Sequence, residues 1–109
     1  MPCGSATQKV EKASGIQLDP VSEESQVTDV LTKVTAGQAD AGLVYVTDAE
    51  GAGDKVTAVA FPESADAVNV YPIAALKQSK NSPLATKFVD AVTGEVGEKI
   101  LAAAGFAKP

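Results

Sequence analysis

Histidine, tryptophan and arginine are all absent from the 109 residues, and there is one cysteine. Without histidine, neither a Ser-His-Asp triad nor histidine acid–base catalysis is possible. Zinc sites built on histidine or on several cysteines are excluded as well. Without arginine, there is no bidentate guanidinium clamp for phosphate or carboxylate. We therefore expect a protein that is not an enzyme, with no catalytic residues, no metal site and no cofactor.

Aromatic residues are also scarce, at 5%, although 45% of the residues are hydrophobic, mostly alanine and valine. The net charge of −5 argues against binding to nucleic acid or to an acidic membrane surface. There is no run of about 18 apolar residues that could span a membrane, and no signal peptide. The opening Met1-Pro2-Cys3-Gly4 is typical of a loop, so we expect that the chain begins abruptly inside a longer one.

Apolar spacing predicts helices over residues 5–14, from Val27 to about residue 36, from Pro83 to about residue 93, and over 95–104. Ser5 and Gln8 fit a capping box at the first of these. Short runs of valine and other apolar residues predict strands at 16–18, 41–46, 55–61 and 68–76. This order of elements predicts an α/β fold, with a closing helix pair that packs apart from the first half.

Three features could bind a ligand. The helix starts at residues 2–7 and 25–28 would offer main-chain N–H groups to an anion, although an ordinary capped helix is the more common explanation of each motif taken alone. Tyr45 lies near the end of the run at 41–46, where its hydroxyl could point into a cleft or form a hydrogen bond within the core. Cys3 has no histidine to activate it as a nucleophile, and Asp48 with Glu50 lacks the spacing of a calcium loop.

Taken together, these segments resemble the molybdate-binding proteins of ABC uptake systems, especially the actinobacterial ones. The resemblance runs from end to end of the chain, and the order of its pieces is more specific than any one of them. The matching segments are residues 1–4, 22–25 with Val27 and Leu31, 39–45, 61–63, 70–73 and 101–106.

The resemblance implies one lobe of a periplasmic-binding-protein type II fold, plus the C-terminal helices of the other lobe. Residues 1–68 would form a ligand-binding α/β lobe that is incomplete at its N-terminus. Residues 69–109 would form a crossing strand and a helix pair that belong to the other lobe. The implied ligand is molybdate or tungstate, bound by the main-chain N–H groups of Cys3 and Val27 and by the hydroxyl of Tyr45.

The resemblance also implies an extracytoplasmic location, periplasmic or lipid-anchored, and an ABC permease as the partner of the full-length parent. Since the first lobe of the family has no counterpart here, we expect the fragment to bind weakly and to expose apolar helix faces. Such faces favour a homo-oligomer, with domain swapping as one route to it. The alternatives are a non-binding structural or regulatory module of the same fold and, with the least support, an enzyme.

Overall fold

A computed structural model describes residues 2–109, and for Pro2 the backbone alone. Within that range the regular structure is helical. The α-helices are α1 (Pro2–Ser14), α2 (Val27–Thr35), α3 (Val46–Ala52), α4 (Ser82–Thr93) and α5 (Glu95–Ala103), and two 3₁₀ helices span Gly53–Lys55 and Pro62–Ala67.

Apolar spacing predicted where the helices lie more accurately than capping signals predicted where they begin. α2 begins at Val27 as predicted, and Gly37 ends its last turn with a left-handed φ of 69°. α1 begins at Pro2, so Ser5 lies inside the helix and the predicted capping box at Ser5 is wrong. Helix periodicity is repeated over several turns, whereas a cap depends on one residue, which explains the difference in accuracy.

The four predicted strands, at 16–18, 41–46, 55–61 and 68–76, are not found among residues 2–109. Single residues next to or within these segments, such as Val56 and Val68, do have extended backbone angles. A strand, however, requires a neighbour that accepts and donates its main-chain hydrogen bonds. Valine-rich runs indicate a preference for extended structure, but they cannot show that a pairing partner exists, and the predicted α/β layering is therefore not seen here.

The chain divides into two compact units, residues 1–69 and 70–109. In the first unit, α1 packs against the 3₁₀ helix Pro62–Ala67, and α2 packs against α3. Gly42 makes the second contact close, because a Cβ atom built there would lie 2.7 Å from Cγ1 of Val30. Among the side chains that the structure describes, only Cys3 is buried, at 7% exposure.

The second unit is built on α4 and α5, which pack against each other. Gly97 allows their close approach, since a Cβ atom there would overlap the main-chain oxygens of Ala91 and Val92. The rings of Tyr71 and Phe106 meet edge to face, with centroids 5.7 Å apart. Large apolar side chains on both helices nevertheless remain exposed, including Phe88 at 64% and Ile100 at 66%.

Candidate functional site

Cys3 lies in the first turn of α1, where main-chain N–H groups have no acceptor within the helix. Its thiol points inward and donates a hydrogen bond to the main-chain oxygen of Leu43, at 3.7 Å. Burial, and secondarily the negative charge of Asp48, raise the pKa of the Cys3 thiol above its ordinary value of 9.0. A buried, protonated thiol is a poor nucleophile, so Cys3 has the character of a packing residue at the helix start.

Tyr45 is the residue immediately before α3, with an extended backbone. Its main-chain N–H donates to Oδ2 of Asp48 at 3.1 Å, which ties the start of the helix to the preceding segment. Its hydroxyl accepts a hydrogen bond of 2.9 Å from Nδ2 of Asn69. The tyrosine is half-buried and is therefore held at both its main chain and its phenol.

Val27 is the first residue of α2, so its main-chain N–H is also one of those without an acceptor inside the helix. The segment before it is held to the helix by Lys33, which contacts both Ser22 and Glu24. Hydrogen bonds to the half-buried Glu24 carboxyl lower its pKa, with that from Lys33 as the main cause and that from Ser22 next. The segment before α2 is thereby held against the second turn of that helix.

Cys3, Tyr45 and Val27 are connected to one another to different degrees. Cys3 reaches the segment of Tyr45 directly, because Leu43, the acceptor of its thiol, is two residues before the tyrosine. Val27 is connected to them indirectly, through the packing of α2 on α3 and of Val30 on Gly42. All three belong to the first compact unit. The arrangement offers hydrogen-bond donors and no cationic side chain among the three.

Two further residues at this site were not assigned to it from the sequence. Asp48 was considered from the sequence only as a metal ligand, yet its carboxylate accepts a hydrogen bond from the main chain of Tyr45 and its charge raises the pKa of Cys3. Asn69 was not singled out. Its signal was available, since it has the only side-chain amide in the largely apolar stretch 68–76.

The described residues contain no group of three or more acidic, cysteine or histidine side chains placed to hold a metal ion. Nor does that part of the chain include a helix both long and apolar enough to cross a membrane.

A family model for bacterial extracellular solute-binding proteins matches residues 1–107. Proteins named molybdate-binding protein ModA, from Mycobacterium bovis and from two strains of Mycobacterium tuberculosis, are 60% identical to the chain over 109 residues. The match covers 100% of this chain and 42% of each of these relatives, so the chain spans about two fifths of their length. No solved structure gives a significant match.

Proposed function

Since the chain belongs to the bacterial extracellular solute-binding protein family, we propose that it contributes one side of a molybdate site that serves ABC-transporter uptake. The observation that carries the ligand is the 60% identity, over the whole chain, to proteins named as molybdate-binding. A solute-binding protein is not an enzyme, which confirms the expectation drawn from the missing histidine and arginine. An extracytoplasmic location, in the periplasm or at the cell surface, is part of the same proposal.

The proposed ligands are the main-chain N–H groups of Cys3 and Val27 and the hydroxyl of Tyr45. Neutral donors can hold a dianion when they are preoriented and partly removed from water, because each charge-assisted hydrogen bond contributes roughly 1.5–3 kcal/mol. A cavity of fixed size would then accept molybdate and tungstate and hold the smaller sulfate less well. Helix starts are suited to this role, since the positive end of the helix dipole favours an anion.

We propose that residues 1–68 form the ligand-binding lobe and that residues 69–109 belong with the opposite lobe of a type II fold. The support for this division is the family match over residues 1–107. With donors from one side only, binding is expected to be weak, with a Kd of about 1 mM, or roughly 4 kcal/mol.

A molybdate titration followed by ¹H–¹⁵N NMR of the 109-residue chain tests this proposal, because NMR detects weak binding and locates it. We expect the amide signals of Cys3 and Val27 to shift on addition of molybdate up to about 10 mM, ten times the expected Kd. Sulfate at the same concentration and ionic strength should shift them less. Equal shifts for both anions, or none at these amides, would contradict the proposal.

Tyr45→Phe removes the hydroxyl donor and should weaken molybdate binding by about tenfold, the equivalent of one charge-assisted hydrogen bond. Tyr71→Phe is the matched control, because it removes the chain's other phenol oxygen, which lies in the second unit. Equal effects of the two substitutions would show that the Tyr45 hydroxyl is not a ligand.

A second candidate function, self-association, is favoured by an apolar groove in the second unit. The groove has a volume of about 580 Å³ and is lined mainly by Ile73, Leu76, Leu84, Phe88 and Val89. The same unit presents an exposed apolar stripe on α5, with Val96 and Ile100. We propose that the α5 face of a second copy docks in this groove, and that reciprocal docking closes into a two-fold dimer.

Sedimentation velocity across a range of concentrations tests self-association. Phe88→Asp places a charge in the groove and should shift the chain from dimer to monomer. Thr86→Asp adds the same charge on an exposed position of α4 outside the groove and should leave the dimer intact. A wild-type chain that sediments as a well-folded monomer at every concentration would overturn the self-association proposal, and domain swapping with it.

A further inference from the structure

Asn69 and Tyr45 are 24 residues apart in the sequence and meet through their side chains, with 2.9 Å between Nδ2 of Asn69 and the phenol oxygen. Both side chains are half-buried. An amide nitrogen can only donate, so the phenol oxygen is the acceptor in this hydrogen bond. We propose that Asn69 is a positioning residue of the site, because it makes the Tyr45 hydroxyl act as a donor toward the oxyanion. This inference rests on the proposed function.

The chemistry of a phenol gives the reason. Its oxygen accepts through lone pairs and donates through a single hydrogen. The hydrogen bond from Asn69 occupies one lone pair of the phenol oxygen, so the phenol's own hydrogen points away from the amide. Donation into an oxygen also polarises its own O–H bond, and this strengthens the hydroxyl as a donor to a third group. A fully deprotonated oxyanion such as molybdate can only accept hydrogen bonds. A phenol that accepts from Asn69 and donates its own hydrogen is therefore a suitable ligand for it.

Asn69 is the last residue of the first compact unit, at the boundary between the two proposed lobes. It follows the 3₁₀ helix Pro62–Ala67 after one extended residue, Val68. That 3₁₀ helix packs on α1, the helix that begins beside Cys3. The thiol of Cys3 in turn contacts Leu43, two residues before Tyr45. Asn69 therefore closes a ring of contacts that fixes the phenol relative to the start of α1, where a main-chain donor is proposed.

Two substitutions separate positioning of the hydroxyl from simple structural support. Asn69→Asp keeps the shape but replaces the donor with an acceptor, which then takes the hydroxyl hydrogen for itself. Asn69→Leu removes the hydrogen bond without reversing it. If Asn69 only supported the fold, Asn69→Leu would be the more harmful change, because the carboxylate introduced by Asn69→Asp still bonds to the phenol. If Asn69 directs the hydroxyl, Asn69→Asp is the more harmful change for binding.

The experiment is the molybdate titration by NMR, with Kd values measured for wild type, both Asn69 variants and Tyr45→Phe. We expect about threefold weaker binding for Asn69→Leu, and at least about thirtyfold weaker binding for Asn69→Asp, since the donor is lost and a negative charge is added. Repeating both Asn69 substitutions in the Tyr45→Phe background isolates the part that acts through the hydroxyl. There, Asn69→Leu should have no further effect, and Asn69→Asp should retain only its charge effect.

Each remaining outcome contradicts the inference. Wild-type affinity in Asn69→Leu, or an equal effect of that substitution with and without the hydroxyl, shows that Asn69 does not act through Tyr45. If the Asn69→Leu variant binds molybdate more weakly than the Asn69→Asp variant, Asn69 has a structural role only. If Tyr45→Phe weakens molybdate binding while Asn69→Leu does not, the proposed function survives and only the role of Asn69 fails. If wild type shows no molybdate shifts at all, both fail.

Discussion

The thiol of Cys3 and the main-chain oxygen of Leu43 lie 3.7 Å apart, and this contact joins the start of α1 to the segment that leads into Tyr45. The two residues are 40 positions apart in the chain, so the contact is a product of tertiary packing. It involves the most buried side chain that the structure describes. Two of the proposed donors, the Cys3 N–H and the Tyr45 hydroxyl, depend on this contact for their relative placement.

The raised pKa of Cys3 predicts a loss of stability at alkaline pH. Because the thiol of the folded chain has a pKa above 9.0, the unfolded chain releases its proton first, and deprotonation favours unfolding as the pH rises past that value. Cys3→Ser keeps a donor for Leu43 but does not titrate in this range. The free energy of unfolding, measured by urea titration between pH 8 and about pH 10.5, should fall more steeply for wild type than for Cys3→Ser. Parallel pH profiles would contradict the burial of the thiol.

Gly42→Ala should destabilise the first unit by about 1–3 kcal/mol. The added Cβ would lie 2.7 Å from Cγ1 of Val30 and 3.2 Å from Cγ2 of Val34, and both atoms belong to stiff β-branched side chains. Gly51→Ala is the control, since a Cβ there meets nothing within 4 Å, and it should be neutral or slightly stabilising. Chemical denaturation measures both. Adding Val30→Ala to Gly42→Ala should recover part of the loss, and a failure to recover any would place the clash elsewhere.

Gly97→Ala should be more harmful, at about 2 kcal/mol or above, because the obstructing atoms are main-chain oxygens of Ala91 and Val92 that cannot rotate away. The effect should be confined to the second unit and should appear as loss of amide protection in α4 and α5 by hydrogen exchange. Gly4→Ala, with open space around its Cβ, is the matched control. Unchanged protection of α4 and α5 in Gly97→Ala would show that the two helices are not packed this closely.

Asp48→Asn should improve molybdate binding, because it removes a negative charge beside the proposed site while keeping an acceptor for the Tyr45 N–H. It should also lower the pKa of Cys3, since the charge of Asp48 is one of the two causes that raise it. We expect binding about fivefold tighter, the equivalent of roughly 1 kcal/mol for a partly screened charge. NMR titration and the pH dependence of thiol alkylation measure the two effects.

Glu50→Gln serves as the control for Asp48→Asn, because it removes the same charge from an exposed position of α3. Equal gains in affinity from the two substitutions would mean that net charge, and not the placement of Asp48, controls the binding.

Helices were predictable from the sequence because their hydrogen bonds are local. The spacing of Val27, Val30, Leu31 and Val34 repeats the period of a helix, and α2 begins at Val27. Strand pairing was not predictable from the run at 41–46, since a ladder requires a second segment distant in sequence, and the described residues supply none to it. Instead this run packs through Gly42 on α2, a contact that residue spacing does not reveal.

By itself, the sequence determined what chemistry is impossible, because absent side chains cannot act: without histidine or arginine, the chain is limited to neutral donors and lysines. It also determined the family, which the match over residues 1–107 confirms. Only the tertiary structure decided which residues meet. The bond from Asn69 to Tyr45, the contact of Cys3 with Leu43 and the influence of Asp48 on that thiol all join residues far apart in the chain. Such contacts depend on how distant segments pack, and the local spacing of residues does not predict them.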